Sequence, residues 1–81
     1  MGRKIFVSYN SASTILNVSF PTNGQGGKIE IYRNGVKVVN TTAPAGTSLC
    51  YMLRKYGKGE YAVVVSYGNT VVYSNYVLVK N

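Results

Sequence analysis

Few residues in this chain can do acid–base, nucleophilic or metal chemistry. Its carboxylates are Glu30 and Glu60, it has no histidine and no aspartate, and its one cysteine is Cys50. Without an imidazole, the Ser–His and Cys–His pairs that activate a nucleophile are unavailable, as are the Cys/His sets that hold zinc. A lone cysteine also excludes an internal disulfide. Paired-carboxylate glycoside chemistry would require Glu30 and Glu60 to converge to about 5–10 Å across a cleft. Both instead fall at outward positions of strand-like runs with basic neighbours, as solvated surface carboxylates do. Cys50 has only Arg54 and Lys55 nearby in sequence to lower its thiol pKa, so partial burial by the chain is the plainer expectation. The stretch Thr22-Asn23-Gly24-Gln25-Gly26-Gly27 invites comparison with a phosphate cradle. However, Gly27-Lys28-Ile29-Glu30 runs into a strand, where a P-loop needs Gly-Lys-Ser/Thr opening a helix. No catalytic residue, metal site or cofactor is expected, and the chain reads as a non-enzyme.

Charge and tyrosine remain. Nine Lys/Arg against two carboxylates give a net charge of +7, which attracts phosphate, anionic lipid or anionic polysaccharide. The basic residues Arg3, Lys4, Lys28, Arg33, Lys37, Arg54, Lys55, Lys58 and Lys80 are spread along the sequence. Most fall near strand ends, where a small β domain carries its solubilising charge. Basic charge with exposed rings is also the recipe for single-strand nucleic-acid binding. Lys58-Gly59-Glu60-Tyr61-Ala62-Val63-Val64-Val65 echoes an RNP-type strand, but Glu60 stands where an aromatic is required. That module's helices also have no counterpart here, so nucleic acid is not the expected partner. Tyr61 and Tyr76 read as core rings, and Tyr61 is placed to act as the tyrosine corner of a sandwich, its hydroxyl bonding to upstream backbone. Tyr32 and Tyr73 read as surface rings. With Arg33 and Lys37 they make the candidate binding surface for a protein or glycan ligand.

The elements that position these residues are strands. Gly59–Val79 holds two apolar runs around Gly68-Asn69, a two-residue hairpin signal. With Tyr67 and Thr70 closing the turn, simple pairing sets Val65 opposite Val72, Val63 opposite Ser74, and Tyr61 opposite Tyr76. Val72, Tyr76 and Leu78 then face the core, and Tyr73 faces outward. Asn34-Gly35 marks a second hairpin between Lys28–Arg33 and Val36–Thr41, with Val38 opposite Ile31. Arg3–Tyr9 and Thr14–Phe20 read as the first two strands, with Leu16, Val18 and Phe20 inward and Pro21 ending the second. Thr47–Tyr56 is ambiguous: Leu49, Met52, Leu53 and Tyr56 sit at helical spacing, while Leu49, Tyr51 and Leu53 share one face of a strand. The strand is preferred because every neighbour is β, followed by a basic turn over Arg54–Lys58. The count then comes to seven strands in one domain over 1–81, and the expected fold is an all-β, antiparallel β-sandwich.

The pattern KIEIYRNGVKVVN, then Leu53-x-x-Tyr56-x-x-Gly59-x-Tyr61-x-Val63-x-Val65, a Gly-Asn hairpin, and Tyr73 with Tyr76-Val77-Leu78-Val79-Lys80 resembles two related groups. One is the small secreted immunoglobulin/fibronectin-III-like domains of unknown function in Bacteroidetes. The other, more distant, is the C-terminal sorting domain of type nine secretion cargo. The first implies a seven-stranded Ig/fibronectin-III-like sandwich that is secreted, periplasmic or at the cell surface, with an export signal that is not among these residues. Such a domain would serve as an interaction or adhesion module. The second implies a sorting or accessory domain of a secreted protein, and the charge keeps a single-stranded nucleic-acid or polyanion binder as a further alternative. No apolar run approaches the roughly 20 residues of a membrane span. A monomer or an edge-strand dimer is expected, since an unpaired strand edge can recruit a second copy.

Overall fold

Alternating side chains and turn residues build two antiparallel sheets in the computed structural model, which describes residues 5–22 and 26–80. The strands are β1 (Phe6–Asn10), β2 (Ile15–Ser19), β3 (Gly27–Arg33), β4 (Val36–Ala43), β5 (Ser48–Met52), β6 (Gly59–Tyr67) and β7 (Thr70–Val79). One sheet has the order β1-β2-β5 and the other β4-β3-β6-β7. Arg3 and Lys4, expected at the start of the first strand, lie outside the described residues, as does the centre of the glycine-rich loop.

The sheets face each other across one core. Leu16, Val18 and Phe20 come to it from the β2 segment, Ile29 and Ile31 from β3, and Tyr61, Val63 and Val65 from β6. The segment after residue 47 resolves as a strand followed by a short 3-10 turn, Leu53–Tyr56, which drops Leu53 fully into the core. The strand reading therefore holds as far as Met52, and the helical face of Leu49, Met52, Leu53 and Tyr56 does not form, since Met52 and Tyr56 are exposed. Leu49 and Tyr51 stay half-buried on β5.

Register departs from simple pairing in both hairpins, and in the same way. In β3–β4 the pairs Arg33–Val36 and Tyr32–Lys37 are followed by Ile31–Val39, leaving Val38 as an extra residue. In β6–β7 the pairs Tyr67–Thr70 and Ser66–Val71 are followed by Val65–Tyr73, leaving Val72 extra. Each is a β-bulge in the return strand, two pairs beyond the turn. Because side chains alternate with period two, one inserted residue exchanges the faces of everything beyond it. Val39 and Ala43 thus enter the core while Val38 is only half-buried.

On β7 the consequence is larger. Val72, Tyr76 and Leu78, expected inside, are 44%, 77% and 62% exposed. Tyr73 and Val77 pack against the core instead, and Val79 is buried.

Two contacts lock one end of the molecule. Asn34 takes φ +49 in its hairpin turn. Its backbone N–H donates to the Glu60 carbonyl at 2.7 Å, and its side-chain Oδ1 accepts the Glu60 N–H at 2.9 Å. A Cβ on Gly59 (φ +145) would come within 2.8 Å of that amide, so a glycine is needed there for both conformation and space. Beside it, the Tyr61 ring is fully buried, and its hydroxyl donates to the Leu53 carbonyl at 2.9 Å and lies against the Gly57 carbonyl. Burial pushes that hydroxyl's pKa above its ordinary value of 10.0. The upstream backbone contact expected of Tyr61 is present.

Candidate binding surface

The outer face of the four-stranded sheet carries a continuous cross-strand row. Lys37 on β4 pairs with Tyr32 on β3, Tyr32 with Ala62 on β6, and Ala62 with Tyr76 on β7. Tyr32 is half-buried and Tyr76 exposed, so two rings flank the small Ala62. With strands about 4.8 Å apart, the two tyrosine backbones stand roughly 10 Å from each other. A shallow cavity of about 280 Å³ opens there, lined by Tyr32, Gly35, Glu60, Tyr61, Ala62 and Tyr76. Leu78 lies next on this face beyond Tyr76, opposite Glu60.

Charge beside the row is organised by one ion pair. The Lys37 ammonium donates to Glu30 Oε2 at 2.9 Å and sits 5.6 Å from the centre of the Tyr32 ring. The hydrogen bond from Lys37, more than any other cause, holds the Glu30 carboxyl below its usual 4.5. The same bond raises Lys37 above 10.5. The pair positions Lys37 across Tyr32, where an ammonium is attracted to the ring.

Of the four residues expected to form a binding surface, Tyr32 and Lys37 lie together here. Tyr73 does not. The bulge at Val72 turns it to the inner face, where it packs against the core and its hydroxyl accepts a hydrogen bond from Asn75 Nδ2 at 3.2 Å. Arg33 is also apart from the row: it shares the face of Tyr61, its Nε donates to the Lys58 carbonyl at 2.9 Å, and its guanidinium covers Gly57.

Tyr76 is the residue that sequence reasoning left in the core. The available signal was the apolar pair Val72-Tyr73, which breaks alternation at the same distance from its turn as Val38-Val39 does in the other hairpin.

The carboxylates do not converge. Glu30 pairs with Val64, four residues along β6 from Glu60, so their backbones stand roughly 14 Å apart. The Glu30 carboxylate is taken up by Lys37 instead. Among the described residues no group of three or more Cys, Asp or Glu side chains could hold a metal ion. Cys50 is exposed rather than partly buried, on the edge strand β5. No protein-family model matches the chain, and no curated protein matches it at a significant level.

Proposed function

We propose that this chain is a non-enzymatic interaction module, exported or at the cell surface, built as a seven-stranded Ig/fibronectin-III-like sandwich. It binds a protein or glycan ligand through the outer face of the four-stranded sheet. The observation that carries the reading is the row Lys37–Tyr32–Ala62–Tyr76. Tyrosine gives a large contact area for little lost side-chain entropy and has a hydroxyl to orient a ligand, which is why it is favoured in binding surfaces. An alanine between two rings leaves room for a sugar ring or an extended peptide to lie against both. The sandwich assignment is supported by the placing of β4 beside β3 in the second sheet, and by Tyr61 bonding back to the corner that precedes its strand.

The test is a titration of isotope-labelled protein with panels of neutral oligosaccharides and of unstructured peptides, read by amide chemical shifts. Shifts should concentrate at Tyr32, Lys37, Ala62 and Tyr76, and the Tyr32→Ser/Tyr76→Ser variant should lose them. The reading is overturned by shifts confined to the three-stranded sheet, by binding that survives the double substitution, or by no binding in either panel.

A further inference from the structure

The cations that look dispersed in sequence are gathered by the fold at one end. The turns β1–β2, β3–β4 and β5–β6 and the end of β7 all lie there. They bring Arg33, Arg54, Lys55, Lys58 and Lys80 to that end, with Glu60 as the one carboxylate side chain there among the described residues. The other described cations are Lys28, near the opposite end, and Lys37, which is paired with Glu30. Among the described residues, none of the five makes an ion pair. Among the described residues, the excess of positive charge therefore gathers at one tip of the strands.

That tip contains a built cleft. It has a volume of about 330 Å³ and is lined by Ser11, Thr14, Arg54, Leu78, Val79 and Lys80. Thr14 fixes its wall. This β-branched residue is buried and takes φ +57, a left-handed conformation that costs energy for its type. Its carbonyl accepts the Leu53 N–H at 2.9 Å, and its hydroxyl accepts the Arg54 N–H at 3.3 Å while donating to the Ser13 carbonyl at 2.6 Å. The β1–β2 turn and the segment bearing Arg54 are thus held together before any ligand arrives, with the Arg54 guanidinium 3.4 Å from the Ala12 carbonyl.

We infer that this tip binds an acidic polysaccharide, with one sulfate or carboxylate seated between Arg54 and Lys80. The planar guanidinium fork matches either oxyanion, and Lys80, which also lines the cleft, adds a point charge. Ser11 supplies a hydroxyl, and Lys55, Lys58 and Arg33 extend the field to neighbouring charges of a polymer. No aromatic ring lines the cleft. Single-stranded nucleic acid is gripped by rings that stack on its bases, so the chemistry here favours a glycan, whose recognition needs charge and hydroxyl contacts. This site is separate from the tyrosine row and stands or falls independently of it.

A sulfated heparin-derived octasaccharide is the probe, titrated into the full chain by calorimetry at several salt concentrations, with a twelve-residue oligo-dT as counter-probe. Binding should weaken as salt rises. Arg54→Ala and Lys80→Ala should each weaken it about tenfold, the loss of one charge-assisted contact. Lys28→Ala, an equal change of charge near the other end, should leave it within about twofold. Lys80 is exposed and outside the sheet pairing, so its variant reports on binding even where Arg54→Ala loosens the turn. The inference is overturned by no binding at low salt, by equal weakening from Lys28→Ala, or by oligo-dT binding as tightly with the same dependence on Arg54 and Lys80.

Discussion

At the scale of single residues, Tyr61 joins two jobs that usually fall to different side chains. Its ring fills the core, while its hydroxyl reaches the carbonyl of Leu53 and lies against that of Gly57. Tyr61→Phe keeps the ring and leaves those buried carbonyls short of a donor. It should cost about 1–3 kcal/mol in urea denaturation, and a change below about 0.5 kcal/mol would show that water replaces the hydroxyl. The Glu30–Lys37 pair makes a second prediction. Because Glu30 has a lowered pKa in the folded state, its contribution is present above the ordinary carboxylate value and lost as pH falls through the lowered one. The raised pKa of Lys37 has the opposite sense, its contribution being lost only as pH rises through the raised value. A carboxyl titration by NMR should place Glu30 below 4.5, and Lys37→Ala should return it toward that value. An unperturbed Glu30 in the unsubstituted protein would mean that the pair does not persist in solution. Lys37 is exposed and Glu30 only half-buried, so the effect on stability is small.

Among elements, the paired bulges decide most. Leu53 and Leu78 both alternate correctly for a core position when each strand is considered alone. The 3-10 turn buries Leu53 completely, whereas the bulge at Val72 leaves Leu78 62% exposed. Leu53→Ala should therefore destabilise by about 2–5 kcal/mol through lost burial and a residual cavity. Leu78→Ala should stay within about 0.5 kcal/mol. Equal losses at the two sites would restore the unbulged register and return Tyr76 to the core. The same bulge explains how much of the candidate surface was legible in advance. Tyr32 and Lys37 precede the bulge of their hairpin and were placed by alternation. Tyr73 and Tyr76 follow theirs and exchange faces.

For the molecule as a whole, the sheet edges differ. β4 ends the larger sheet on one side and carries Lys37, while β7 ends it on the other with no charged residue or proline from Thr70 to Val79. Among the described residues β7 pairs only with β6, so alternate β7 amides point away from the sheet, while β6 is paired on both sides. Hydrogen exchange should accordingly be slowest in β6 and fast at alternate positions of β7. Uniform protection along β7 would show that a second chain covers that edge in solution.

The sequence by itself determined the strands outside the ambiguous segment 47–56, both hairpin turns, the inward Leu16, Val18, Ile29, Ile31 and Tyr61, and the scarcity of groups able to do catalysis. These follow from local alternation, turn chemistry and composition, which need no partner strand. Only the tertiary structure decided the two bulges, because an extra residue is defined by what it fails to pair with. That settled which tyrosines face outward. It also decided where the charge goes: in an antiparallel fold every second turn returns to the same end, so cations dispersed along the chain become neighbours at one tip.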